Sequence, residues 1–210
     1  MVKVTDNEKN TEELIFDAAR EVFIEKGFEG ARMQDISDRA GINKALLHYY
    51  YRTKEKLFAS IFELVMKQAI PSMVKFMESE MSLFQKIEYF VENYISLIQK
   101  NPYIPFFVLT EINRNPDNIA NIFKKIFDKK DNPFKKFSKL INDEVEKGVI
   151  NPIEPEQLIV NMIAMCLFPF IARPIIQTII FEGDKARYND FIESRKKEVY
   201  KFIIHSIEKR

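Results

Sequence analysis

The stretch Ala31–Leu57, ARMQDISDRAGINKALLHYYYRTKEKL, decides the fold. Met33, Ile36 and Ala40 recur at helical steps, and Gly41 follows them as a tight turn, since glycine takes a left-handed backbone at little cost. Ile42 then plugs the core, and Asn43 is a good N-cap for a second helix from Lys44 to Tyr50. On that helix Leu47 and one of Tyr50 and Tyr51 face inward, leaving Lys44, Ala45, His48 and Tyr49 outward. Thr53 caps a further helix from Lys54, with Leu57, Phe58, Ile61, Phe62 and Val65 as its apolar stripe. Two short helices joined by a glycine turn, the second basic and aromatic, make a helix-turn-helix whose second helix suits a DNA groove.

Charge supports that reading locally. The stretch carries six bases (Arg32, Arg39, Lys44, Arg52, Lys54, Lys56) and three acids (Asp35, Asp38, Glu55), 6 − 3 = +3, against +1 for the whole chain. Lysine and arginine neutralise phosphates and release counterions, and the starts of helices at Lys44 and Lys54 offer free backbone N–H groups to phosphate oxygens. By itself a basic amphipathic helix is more often a solvated face, so the order of residues has to carry the argument.

Working outward, residues 1–9 are polar and read as a frayed end. Asn10 or Thr11 caps a first helix, whose Leu14, Ile15, Ala18, Ala19, Val22 and Phe23 form one apolar face until Gly27 stops it and Phe28 folds back over its end. Past the opening stretch, Pro71 is expected to end or kink the fourth helix near Ala69 and to shape the lever between the head and the rest. Helices follow at about 72–80, 83–99, 102–114, 117–148, 155–182 and 185–208, with Asn132-Pro133 breaking or kinking the 117–148 segment. Nineteen Phe against five Gly favour bulky helical cores over sheets and turns. The fold class is all-α: a small DNA-binding domain over about 9–69, with its motif near 32–51, and a larger helical domain over about 70–210.

Several classes are disfavoured. Cys166 is the single cysteine, so a disulfide framework or thiolate metal cluster is not expected, which suits a reducing cytoplasm. His48 and His205 are the two histidines and lack paired ligand spacing, so no metal and no cofactor are expected. No secretory pattern opens the chain. The charge-free run Gln157–Ala172 would make a helix of about 24 Å, short of the about 30 Å of a bilayer core, and Arg173, Pro169 and Pro174 argue further against a membrane partner. No catalytic constellation emerges.

Residues 11–58 resemble the DNA-binding domain of the TetR family of bacterial regulators. The resemblance is carried by Ala18-Ala19 with Phe23, by Gly27-Phe28-Glu29-Gly30, by Ile36 with Ala40-Gly41-Ile42, by Lys44-Ala45-Leu46-Leu47, by Tyr50-Tyr51 and by Lys54-Glu55-Lys56-Leu57. It implies that Lys44, Ala45, Leu46 and His48 face base edges or the groove wall, while Tyr49, Tyr50 and Lys54 contact phosphates. Gln34 is a further candidate base reader, since glutamine suits adenine. Arg32 stands where Ser or Thr usually caps the second helix; it keeps a charge for phosphate and gives up the cap. With Asn43, these residues are the candidate DNA contacts.

In the larger region the last two long helices, about 155–208, are candidates to pair with a second copy. Met165, Phe168, Ile175 and Ile179 on one, and Phe191, Val199 and Phe202 on the other, are the expected dimer contacts. The resemblance also implies an effector pocket over about 66–150. A stripe with Met66, Met73, Met77, Phe90, Tyr103, Phe106, Phe107 and Phe127 would suit a small hydrophobic or aromatic ligand, although such a stripe is also plain core. The expectation is a homodimeric, ligand-responsive repressor on palindromic double-stranded operator DNA. The alternative is a helical small-molecule-binding protein that no longer reads DNA, suggested by Arg32 and the near-neutral net charge.

Overall fold

The computed structural model describes residues 6–77, 79–114, 116, 117, 120, 121, 124 and 132–209; among them the side chains of 6–10, 66, 68–77, 107, 110, 111 and 114 are outside the description. The helices are α1 (Asp6–Gly30), α2 (Met33–Ala40), α3 (Lys44–Tyr50), α4 (Lys54–Met77), α5 (Leu83–Lys100), α6 (Ile104–Arg114), α7 (Pro133–Glu146), α8 (Pro155–Ile171) and α9 (Lys185–Ile207). Between α8 and α9 lie one turn of helix, Arg173–Ile175, and a five-residue π-helix, Ile176–Ile180. The all-α reading holds, and the only strand-like pairing among the described residues is an isolated bridge between Ile150 and Glu208. It ties the loop after α7 to the end of α9, where the Asn151 N–H donates to the Ile207 carbonyl at 2.7 Å.

Glycine and cap chemistry place the early breaks where the sequence puts them. Gly27 has φ 68° and ψ 171°, a backbone essentially confined to glycine, and it interrupts α1 before its last turn. Gly41 has φ 67° and ψ 25°; its N–H reaches the Asp38 carbonyl and the Ile42 N–H reaches that of Ser37, closing α2. The Asn43 side chain accepts from the Leu46 N–H, as an N-cap should, and Asn132 does the same for Phe134 with Pro133 opening α7. The side chain of Asp184 caps α9.

Three expectations are corrected. Helix α1 begins at Asp6, ahead of the Asn10 or Thr11 cap, while residues 1–5 of the expected frayed end lie outside the described residues. Pro71 does not end its helix: α4 runs on to Met77, and no separate helix opens at 72. A proline removes one N–H, here the bond to the Lys67 carbonyl, and the turns on either side carry the helix through. The helix expected over 155–182 instead breaks at Ala172, where the next segment departs by 61°. Pro174 cannot donate back to Phe170, so the chain restarts there and continues as the π-helical turn. Of the segment expected over 117–148, most of 118–131 lies outside the described residues. No single described helix is long and apolar enough to cross a membrane.

Pro169 inside α8 leaves the Met165 carbonyl without its usual donor. Arg195 on α9 supplies one, Nη2 to that oxygen at 2.7 Å, and the Tyr188 hydroxyl donates to the Pro169 carbonyl at 3.0 Å. Both bonds are long-range, so they fix α9 against α8. Cys166 is fully buried beneath them, and burial pushes its thiol up to about 12.

Two groups of buried side chains result. One joins α1–α4 through Ile15, Ala19, Val22, Phe23, Ile36, Leu47, Leu57 and Phe58; the other joins α5 and α7–α9 through Ile87, Val91, Ile95, Ile141, Met162, Ile192 and Ile203. Tyr103, just before α6, belongs to the first group, its ring centroid 5.6 Å from Phe58 and 6.1 Å from Phe23. Arg20 Nη2 donates to the Lys100 carbonyl at 2.9 Å beside it. The α5–α6 connection is therefore part of the head's core.

The two glycines should respond differently to one substitution. Gly41→Asn keeps a left-handed residue that asparagine tolerates, whereas Gly27→Asn should cost about 1–3 kcal/mol; thermal denaturation of the two variants measures the gap. Tyr103→Ala removes a buried ring and should cost about 3–5 kcal/mol. It should also split a single melting transition into two in calorimetry, because the head loses its wedge from α6.

Candidate nucleic-acid interface

The recognition candidate, α3, is held from behind and bare in front. Leu47 is fully buried, Tyr51 nearly so, and the Tyr51 hydroxyl donates to Glu12 at 3.4 Å. Burial first and the Glu12 carboxylate second hold that phenol well above its ordinary range, so it stays a donor. On the other side Asn43, Lys44 and Ala45 are exposed, Leu46 and His48 are half-buried, and Tyr49 is 81% exposed with its ring edge-on to Tyr50 at 5.7 Å. The His48 ring lies 3.2 Å from the Arg52 carbonyl and the α3–α4 turn.

Helix α2 is braced on α1 by charge. Arg39 reaches Glu25 at 2.7 Å and Glu21 at 3.4 Å, and Lys26 pairs with Asp35 at 3.1 Å. The hydrogen bond from Lys26 draws the Asp35 carboxyl below its usual range, and the one that Arg39 donates to Glu25 raises Arg39. Asp35 also accepts from the Arg32 N–H at 3.3 Å, so the second helix keeps a partial cap although the Arg32 side chain supplies none. Arg32 is exposed and aims no bond into the cap.

Two of the expected DNA contacts are engaged elsewhere. The amide of Gln34 donates to Asp38 at 2.7 Å along its own helix, so reading a base would require leaving that bond. The ammonium of Lys54 is turned inward: Nζ donates to the carbonyls of Phe28 at 2.6 Å, Ala31 at 3.1 Å and Glu29 at 3.3 Å, and sits 4.5 Å from the Phe28 ring centroid. This corrects the phosphate role expected for its side chain, because an ammonium has three donors and all three are used. Arg52 and Lys56 are exposed cations at the α3–α4 turn that the positional reading left unassigned. Their signal was present in the local charge sum, without a position to attach it to.

Of the expected effector residues, the three with described side chains lie in different surroundings. Tyr103 is in the head's core, where its hydroxyl donates to Asn101 at 3.2 Å and burial pushes it up to about 12. Phe90 stacks on Tyr94 at 5.3 Å on the other core, and Phe106 is exposed. The side chains of Met66, Met73, Met77 and Phe107, and all of Phe127, lie outside the described residues.

Of the expected dimer contacts, Phe168, Ile175, Ile179 and Phe202 are exposed, between 61% and 72%. Met165 and Phe191 are half-buried, while Val199 is 2% exposed and packs inside its own chain, which leaves it little surface for the dimer contact expected of it. An open groove of about 530 Å³ runs along this face between Met165, Arg195, Glu198 and Phe202.

Comparison with known proteins agrees with this geometry. The family model described as bacterial regulatory proteins, tetR family, matches residues 15–61. The transcriptional repressor NicS of Pseudomonas putida is 43% identical over 53 residues, a quarter of each chain. The transcriptional regulator RutR of Escherichia coli is 24% identical over 199 residues, 93% of this chain and 90% of that one. Among solved structures, a transcriptional regulator from Saccharomonospora viridis in complex with choline superposes with a TM-score of 0.74 at 18% identity, covering 96% of this chain and 100% of that one. A TetR transcription regulator from Haloarcula marismortui gives 0.66 at 16% identity, covering 96% and 100%. The solved structures share the fold, and the sequence relatives share the reading head. Residues 15–61 carry the DNA-binding head of the tetR family of bacterial regulatory proteins, and along most of its length the chain is similar to DNA-binding transcriptional regulators.

Proposed function

We propose that the protein is a homodimeric, ligand-responsive repressor whose two heads occupy successive major grooves of a palindromic operator. The observation that carries this reading is the surface of α3: a helix pinned from behind by Leu47 and Tyr51 that offers Lys44, Ala45 and Tyr49 to a groove. Lys44 and Ala45 would meet base edges, with Leu46 and His48 on the groove wall. Tyr49, Tyr50, Arg32, Arg52 and Lys56 would take phosphates and hold register. The head corresponds to about 9–69, and the helices beyond it form the regulatory part.

The dimer is supported by the large apolar side chains left on the outer face of α8, the π-helical turn and α9. Single exposed apolar residues are ordinary, but Phe168, Ile175, Ile179, Ile180 and Phe202 together mark an interaction surface. A second copy brings a second head, and two-fold proteins pair with palindromic sites. A small-molecule effector is supported by the choline-bound relative in fold, and an apolar or aromatic one by the aromatic and methionine content of residues 66–150. Its effect would follow from stronger binding to a conformer whose heads are wrongly spaced for the grooves. The wedge of Tyr103 into the head supplies the connection, since a displaced α6 would carry the head's core with it.

Selection of bound fragments from genomic DNA tests the reading, and a protein that shows no preference over random duplex at moderate salt would sink it. Lys44→Ala should weaken binding to a selected duplex by about 1–3 kcal/mol while changing random-duplex binding little; fluorescence anisotropy reads both. Phe202→Glu should yield a folded monomer in sedimentation analysis, with specific affinity lost alongside the second head. A variant that remained dimeric would remove Phe202 from the interface.

A further inference from the structure

We propose that Lys54 is a positioning residue of the reading head, a clasp that joins the entry and exit of the helix-turn-helix and makes no phosphate contact of its own. The inference rests on the DNA-reading function proposed above. Its partners lie at the end of α1, in the turn that follows the Gly27 break. The last carbonyls of a helix have no intrahelical donors, and a cation there also meets the negative end of the helix dipole. Nζ converges on three of these oxygens, those of Phe28, Glu29 and Ala31, within 3.3 Å. The Phe28 ring, 5% exposed and packed on Phe23 and Phe58, covers the ammonium from one side.

The topology gives this cluster its consequence. Ala31 directly precedes Arg32, the N-cap of α2, and Lys54 is the first residue of α4. Every proposed base contact, and every proposed phosphate contact except Lys56, therefore lies between the two sides of one clasp, from Arg32 to Thr53. With it closed, the start of α2 and the start of α4 hold a fixed separation, and the orientation of α3 relative to the rest of the head is set. Turning Nζ outward to a phosphate would leave the three carbonyls without this donor, so the position serves geometry in place of charge.

Arginine separates charge from geometry. Its guanidinium keeps the positive charge, but a planar fork cannot converge on three carbonyls from one point, as an ammonium does. Methionine keeps much of the stem and removes the charge. The test uses full-length wild type, Lys54→Arg and Lys54→Met, a duplex selected by the wild type from random sequence, and a random duplex, below the melting range of all three proteins.

Both variants should lose tenfold or more in affinity for the selected duplex and keep random-duplex affinity within about twofold. The slope of log K against log salt should stay that of the wild type, since a lost phosphate contact would flatten it by about 0.9. A lysine that merely stabilised the fold would lower both duplex affinities together. Wild-type affinity in Lys54→Arg, or a slope shallower by about one contact in Lys54→Met, overturns the proposal. Hydrogen exchange without DNA decides the clasp independently: amides of residues 31–36 should exchange at least tenfold faster in both variants, with α9 unchanged. Unaltered exchange in that segment refutes it. If the wild type selects no duplex, the DNA-reading function falls, and the exchange result still judges the clasp.

Discussion

Four rings meet inside the head, one from each of four segments that would otherwise be free to slide: Phe23 from α1, Phe28 from the turn after Gly27, Phe58 from α4 and Tyr103 from the approach to α6. Their centroids lie between 5.0 and 6.1 Å apart, mostly edge to face or tilted. Such pairs contribute about 0.5–1.5 kcal/mol each beyond the area they bury. Close packing matters more here than that sum. A ring held on several sides cannot shift without opening voids on one side and overlaps on the other, so the four segments behave as one body. The reading helix takes its position from that body through Leu47 and Tyr51, and the connection to the larger region is built into it through Tyr103.

Polar contacts around this cluster rank by burial. The surface pairs of Arg39 with Glu21 and Glu25, and of Lys26 with Asp35, are partly solvated, and pairs of that kind contribute about 0–1 kcal/mol. They set the tilt of α2 on α1 more than the stability of the head. The half-buried Lys54 ammonium is of another kind, because its part-buried bonds to Phe28 and Ala31 satisfy backbone oxygens at a helix end. Without it, the part-buried carbonyls of Phe28 and Ala31 would lose this donor, which costs more than a surface ion pair returns.

The same ranking explains what could be read from the sequence. Local chemistry was legible: Gly27 and Gly41 at breaks, Asn43 at a cap, Asn132-Pro133 at a break, and the apolar steps of α1, α3 and α4 each depend on a few neighbouring residues. Features set by distant partners were not. Lys54 looked like a phosphate contact because its charge and place in the motif are visible, while the carbonyls it serves are fixed only when α1 and α4 pack. Tyr103 looked like pocket lining because its neighbours in sequence are aromatic, while its neighbours in space are Phe23 and Phe58. Proline was misjudged in both directions: Pro71 is carried through by the turns around it, whereas Pro174 coincides with a bend. Periodicity alone does not tell a tolerated proline from a break.

Pro169 shows how the outer face of the larger region is prepared. A proline in mid-helix exposes a carbonyl one turn back, and an oxygen left bare at the centre of an apolar surface would oppose burial by any partner. Arg195 removes that cost from within the chain by donating to Met165 while lying 5.5 Å over the Phe191 ring. Tyr188 does the same for the Pro169 carbonyl. Helices α8 and α9 are thereby locked together before any second copy arrives, with Phe168 and Phe202 left on the outside. In the proposed dimer the pairing would then join two rigid faces, with little further ordering to oppose it. Two heads carried on such a base would hold a fixed spacing, which a palindrome requires and an effector would need to alter.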